Sequence, residues 1–509
     1  MSKKGFTLVE LLAVLVILAI ISLIAIPIVS EIIAGAQTKT NHGNAKLYKK
    51  AIEKAVMSYS LDKDFPNTTC TVLDGGNLDC NDPSLPKPFE IDVSNAKHIK
   101  GGGTITFIDK KIVVFDYLTI DDTSYELKNG ELVAIKPTDA SCFDFTTDKV
   151  KSFEINYETC KSALPEIVSA FGGNLNSEKT DDICKGGDGN GEFTISEMLA
   201  VPTYRQIAIQ YGVVKDSVVI EQSSNATITG YHCSDTDVVI PSTINGHPVA
   251  EIALVSFYNK GLTRVTIPNS VTAIRNGAFQ QNQLTRVTIP NSVTTIGNGA
   301  FASNPMTSLT IGNGVTTIGD NAFHGNQLTS VTIPNSVITI GNSAFYSNEI
   351  SELTIGNSVT TIGDSAFEEN QLTSVAIPNS VITIGSFAFF LNQLSSLTIG
   401  NSVTTIGRAA FDSNHLTEVV IPNSVTTIGE SAFQYNRLTS TLTIPSSVVE
   451  IGNHAFGCGN TSGGLYGPNN LTDVYIDKLS TDSLSIGYDA FCINGVALSE
   501  GAAIHYRES

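Results

Sequence analysis

The sequence predicts a multidomain chain: a long N-terminal α-helix with a small α+β head, followed by a β-rich repeat solenoid. Three observations carry this. An apolar run, Leu11 to Ile28, follows Lys3 and Lys4. Short segments of strand-like alternation lie between Thr104 and Ile135. From about Thr227 onward one unit recurs every 22 residues, as Ile267, Ile289, Ile311 and Ile333 show.

Composition narrows the function. The 509 residues suffice for two to four domains. A net charge of −19 and a pI near 4.8 argue against a nucleic-acid partner, because phosphate binding needs a basic footprint. The absence of Trp and the wealth of Thr, Ser, Asn and Gly suit a β-rich extracellular protein. Eight widely spread cysteines permit disulfides outside the membrane.

The apolar run has about the ~20 residues a helix needs to span a bilayer. Two lysines precede it and none follows until Lys39, which places the short N-terminus on the cytoplasmic side. Glu10 lies at the start of this run, and a lone carboxylate in lipid is costly unless partnered. The stretch Gly5-Phe6-Thr7-Leu8-Val9-Glu10 resembles the type IV pilin N-terminus. That resemblance implies a 1–5 leader, cleavage after Gly5 and methylation of Phe6 by a prepilin peptidase. It also implies that Glu10 pairs with the Phe6 amine of a neighbouring pilin subunit, and that Pro27 kinks the helix. The chain would then be held in a bacterial membrane by one helix, with its ectodomain at the cell surface or on a filament.

The helix is expected over 6–59, with Leu47, Tyr48, Ile52, Ala55, Val56 and Tyr59 on one face of its second half. A small β-rich head over 60–136 follows. Thr104–Ile108 and Ile112–Phe115 read as strands, and Lys128-Asn129-Gly130 as a hairpin turn. Cys70 and Cys80 bracket a short loop that a disulfide would brace.

Residues 137–220 read as a connector. Cys142 and Cys160 are expected to pair there, whereas Cys184 and Cys233 have no assigned partner. Gly186–Glu197 resembles an EF-hand loop, with Asp188, Asn190 and Glu197 at ligand positions, Gly191 at the turn and Glu192 after it. Gly186 stands where the first Asp belongs, so a solvated glycine turn before a helix is the competing reading, and calcium is the one cofactor considered.

The solenoid is expected over 221–509. A strict period with one apolar set means that no unit can bury its own face, so units must stack. Val265, Ile267, Val271, Ile274 and Phe279, with their equivalents, would point inward; Pro268 would end the strand, and Gly297 would allow a tight turn. A recurrent Asn, from Asn282 to Asn436, would bond backbone groups between rungs. About ten rungs at ~4.8 Å give a rod of roughly 50 Å. Cys458 and Cys492 follow Phe456 and Phe491 and fall on adjacent rungs, so they are expected to bridge in the cap. The unit Leu-Thr-x-Val-Thr-Ile-Pro-Asn-Ser-Val-Thr-Thr-Ile-Gly-x-x-Ala-Phe-x-x-Asn-Gln resembles the BspA-like leucine-rich repeat, a solenoid of bacterial and protist surfaces.

No catalytic constellation is present. The eight histidines are scattered, and His324 and His415 occupy variable loop positions. The expectation is therefore binding and not catalysis. Outward columns would hold Thr266, Thr288, Thr310, Thr332, Thr354 and Thr398, with Arg264, Arg286, Glu352 and Glu418 beside them. Such a face suits multivalent contact with host, matrix or cell-surface proteins or glycans. The leading expectation is a minor or tip subunit of a type IV pilus-like filament carrying an adhesion module. The alternatives are a pseudopilin-like part of a secretion or DNA-uptake apparatus, or a membrane-anchored protein that never polymerises.

Overall fold

The structure is a computed structural model. It describes 47–56, parts of 66–134, 137–170, 177–186, most of 194–214 and all of 218–458. Beyond these it describes 469–478, 483–493, 496–498 and 504–506. Gly5, Phe6, Glu10 and the run Leu11–Ile28 lie outside the described residues, as do Asp188, Asn190 and Glu192. Two compact units divide at Lys136/Pro137.

In the first unit the helix 47–56 buries Tyr48, Ile52 and Val56, the i, i+4, i+8 stripe of an amphipathic helix. Their cluster includes Cys70, Val72, Ile105 and Phe107. One antiparallel sheet orders Leu78–Cys80, Thr68–Val72, Thr104–Ile108 and Lys111–Asp116 side by side. Cys70 faces Cys80 across the first pair, and the two are bridged. A second sheet joins Ile99–Lys100, Leu118–Ile120, Thr123–Lys128 and Glu131–Ala134.

The second unit is built on a 14-stranded sheet in which Thr-Ile dipeptides such as Thr295–Ile296 and Thr317–Ile318 pair in parallel, rung to rung. Residues 137–220 do not stand apart from it as a connector. Phe143–Ser152 pairs antiparallel with Val219–Tyr231, which pairs in parallel with the first rung at His247–Ile252. Four short helices over 157–210 pack on this end, and their cluster takes in Ala253 and Leu254 of the first rung. The segment is an N-terminal cap: it covers an apolar end that the repeat pattern leaves open. This also corrects the cysteine pairing. Cys142 bridges Cys233, and Cys160 bridges Cys184. Cys142 immediately precedes the strand beside 219–231, whereas Cys160 lies on the helix Tyr157–Ala170, opposite Ser177–Cys184.

Inside the rungs the phenylalanines form one stack from Phe257 to Phe491. Phe345 and Phe367 lie 5.3 Å apart at an interplanar angle of 1°. Each rung also buries one Asn. Asn348 Nδ2 donates to the carbonyls of Phe345 (3.1 Å) and of Phe323 in the preceding rung (3.0 Å), and Leu328 N donates to its Oδ1 (3.1 Å). Asn282 to Asn436 repeat the bonds to the preceding rung, and Asn469 resumes them beyond the interrupted period. Cys458–Cys492 ties the last rungs, their Cα atoms 4.6 Å apart.

The second row of strands is organised in twos. Arg286–Thr288 pairs with Ser308–Thr310, Ser330–Thr332 with Glu352–Thr354, and Ser374–Ala376 with Ser396–Thr398. The first member of each pair ends in Ile-Pro (Pro290, Pro334, Pro378) and the second in Ile-Gly (Gly312, Gly356, Gly400). A Cβ at Gly356 would lie 2.3 Å from the Pro334 carbonyl oxygen. The side chain of Asn335 accepts from Asn357 N at 2.8 Å. The repeat is therefore a 44-residue doublet of two unlike rungs, not a single 22-residue unit. Gly297, expected at a tight turn, is required by proximity instead: a Cβ there would meet Asn276 N at 2.5 Å.

Asn348→Ala removes an acceptor and the donors to two carbonyls in a dry interior, so it should lower the unfolding free energy by roughly 2–3 kcal/mol. Urea melts of the purified chain check this, and a loss under ~0.5 kcal/mol would show that the Asn ladder does not hold the rungs together.

Candidate functional site

Two sheet faces and a turn face are presented by the repeats. On the paired-strand face, alternation directs Val287, Val331 and Val375 inward and their neighbours outward. Arg286, Thr332, Glu352, Thr354, Thr398 and Glu418 are exposed. Thr288 and Thr310 are half-buried, and Arg264 is half-buried with Asp237 at 3.7 Å. Thr266 departs from the expected exposed column: it is 5% exposed, and its hydroxyl has no hydrogen-bond partner among the described residues. Alternation decides which way a side chain points, not what lies over it. Val420 continues this column at 78% exposure, and Tyr475 and His505 stack at 4.7 Å near its end.

A second threonine column escaped sequence reasoning. Thr295, Thr317, Thr339, Thr361, Thr383, Thr405 and Thr427 occupy one register position of the long sheet. The residue before each one often bonds back a rung, as Thr316 Oγ1 does to the Thr294 carbonyl at 3.1 Å. Its signal was the Thr-Thr-Ile of the unit itself.

Glu197, a candidate calcium ligand, closes a capping box with Thr194 at the start of Ile195–Ala200. Its Oε2 also accepts from Asn276 Nδ2 at 2.9 Å, which docks the capping helix on the first rungs. Burial raises its pKa. Among the described residues no group of three His, Cys, Asp or Glu side chains is placed to hold a metal.

The turn face carries the variable residues of the repeat. His324 is half-buried beside Tyr346, ring centroids 4.9 Å apart, and burial lowers its pKa. Asp412 is 7% exposed; its carboxylate accepts from Ser413 Oγ at 2.9 Å and has no ion pair among the described residues. Burial pushes its pKa up to about 7. A carboxyl raised on folding stays protonated while the unfolded chain ionises, so its penalty grows from about pH 4 to about pH 7 and is constant above. Asp412→Asn should therefore stabilise the protein at pH 8, by ~1 kcal/mol or more, and leave it unchanged near pH 4. Melts at the two pH values check this; equal effects at both would refute a buried, unpaired carboxylate.

The model for the BspA type leucine-rich repeat region matches residues 250–372 and 360–477, and the model for the prokaryotic N-terminal methylation motif matches residues 1–26. No curated protein matches the chain. Among solved structures it is similar to a leucine-rich repeat protein from Bacteroides ovatus, with 19% identity and a TM-score of 0.42, covering 56% of this chain and 96% of that one. It is also similar to a leucine rich cell surface protein from Faecalibacterium prausnitzii, with 22% identity and a TM-score of 0.29, covering 56% and 91%. The pneumococcal vaccine antigen PcpA matches at 19% identity and a TM-score of 0.30, covering 54% and 82%. Among the described residues no helix is long and apolar enough to cross a membrane. The chain thus joins a prokaryotic N-terminal methylation motif to a region of BspA type leucine-rich repeats.

Proposed function

We propose that this protein is a pilin-like surface protein that displays its repeat array as a binding module, as a minor or tip subunit of a type IV pilus-like filament. The observation that carries this is the presence, on one chain, of a methylation motif over 1–26 and a rigid, laterally repeated surface. The motif supplies processing by a prepilin peptidase after Gly5, a methylated Phe6, and Glu10 for assembly with pilin subunits in the membrane. The rod supplies side chains at fixed spacing, so many weak contacts with a protein or glycan add up. A body this large on every subunit would crowd a filament, which favours a minor position.

Glu10→Ala removes the carboxylate that sets assembly register, while Gly5 and Phe6 still permit cleavage. It should leave the protein processed but absent from sheared filaments; unchanged co-purification with filaments would count against the polymer role. On the rod, charge reversal at Arg286 and Glu352 should weaken binding of displayed protein to its target surface by roughly tenfold in total, since each exposed contact contributes ~1 kcal/mol or less. Cell-binding assays of the double variant measure this, and unaltered binding would move the contact off the paired-strand face.

A further inference from the structure

Each rung from Val255 to Tyr435 carries two residues in the left-handed region, one just before the Ala-Phe pair or its equivalent and one just after the following residue. Small or polar side chains hold these places in most rungs, as Gly299 (φ 60°) with Ser303 (φ 56°) and Ser343 (φ 52°) with Ser347 (φ 53°) illustrate. Tyr435 (φ 50°) is a single bulky exception, and one rung has apolar residues at both places, Phe387 (φ 58°) and Leu391 (φ 54°). A Cβ opposes this conformation, and bulky residues rarely adopt it. Val255 does so at the first rung, but it packs against the core of the N-terminal cap. Phe387 and Leu391 are half-buried and belong to no hydrophobic core among the described residues.

Phe390 joins them, its ring 5.6 Å from Phe387 and edge-on at 73°, and the Arg408 guanidinium lies 5.7 Å over the other ring. Backbone bonds fix the neighbours: Glu369 N donates to the Phe390 carbonyl, and Leu391 N donates to that of Asp412. The apolar island therefore has Glu368 and Glu369 one rung before it and, one rung after, the buried Asp412, which is bonded by Ser413 and has no ion pair among the described residues. Two adjacent rungs thus concentrate three features that each oppose folding: two bulky left-handed residues and a buried carboxyl group with no cation among the described residues. The preceding rungs do without the bulky pair, with Ser343, Ser347, Ser365 and Glu369 at the same places. Features that cost stability persist where binding uses them.

We propose that this island docks a protein segment that presents a lysine or arginine beside an apolar side chain. The apolar part covers Phe387, Phe390 and Leu391, and the cation meets the Asp412 carboxylate at the margin of the island. An aromatic centre with charged groups at its margin is the arrangement of an interface hot spot. A cation also gains from the ring faces. A neutral glycan would leave the buried carboxylate unpaired. This deepens the surface-binding reading and rests on it.

The repeat itself supplies variants that should fold. Phe387→Ser with Leu391→Ser restores the residues found at Ser343 and Ser347, and Asp412→Asn keeps the shape of its side chain. The purified full-length chain is titrated with a fluorescent peptide of alternating arginine and leucine, with its glutamate-for-arginine counterpart, and with a neutral oligosaccharide. The expected result is saturable binding of the basic peptide alone, weakened by salt, and reduced tenfold or more in both variants, which melt at or above the wild-type temperature. A lower melting temperature for Phe387→Ser/Leu391→Ser would show that the side chains are structural and overturn the proposal. So would equal binding of the acidic peptide or the sugar, no binding of the basic peptide to the wild type, or undiminished binding in the variants. The display reading is tested by filament fractionation, so its failure is read from a different assay.

Discussion

The rest of the repeat region depends on one interaction, the buried Asn that ties each rung to the next. Its amide bonds the Phe carbonyls of its own and the preceding rung, and its oxygen accepts from the backbone N–H of the residue twenty places earlier, as between Asn392 and Leu372. The turns around the Phe stack leave backbone groups inside, where an unpaired one costs ~1–3 kcal/mol. Asn carries both a donor pair and an acceptor at the right length, which Asp, Gln or Ser cannot match together. Because its partners lie one rung away, the period must hold, and it is resumed through Asn469 after the interruption near the C-terminus. Ends that lack a neighbour need other cover: the 137–220 cap at one end and the Cys458–Cys492 bridge at the other.

With the interior held this way, the exterior is free to vary, but not everywhere equally. The paired-strand face is constrained by the alternation of Pro and Gly rungs, since Gly312, Gly356 and Gly400 each let the chain pass against a Pro carbonyl. The long-sheet face is a nearly uniform Thr column. The turn face has the greatest variety, with Gln280, Ala302, His324, Tyr346, Glu368, Phe390 and Asp412 succeeding one another at one position. Recognition in a solenoid can change there without disturbing the stack, and the departures from local preference cluster there as well.

The functional reading joins two devices with different physics. In the proposed reading the methylation motif over 1–26 serves processing and assembly, and the repeats over 250–477 serve binding. On that reading affinity comes from repetition and from a few well-placed side chains.

The sequence alone determined the solenoid. Its strict spacing of Ile, Phe and Asn leaves stacking as the only way to bury the apolar set, and inward and outward positions follow from strand alternation. The Cys70–Cys80 and Cys458–Cys492 bridges were legible because each pair falls near in sequence or in register. The 44-residue doublet was also written in the chain, as Val-Thr-Ile-Pro alternating with Leu-Thr-Ile-Gly, but its meaning depended on which strands touch. Tertiary structure alone decided the rest. It paired Cys142 with Cys233 across 91 residues, buried Thr266, made the described part of 137–220 a cap, and gave buried Asp412 a serine and no cation among the described residues. Such outcomes turn on which segments meet in space, and a one-dimensional period carries no information about contacts that break it.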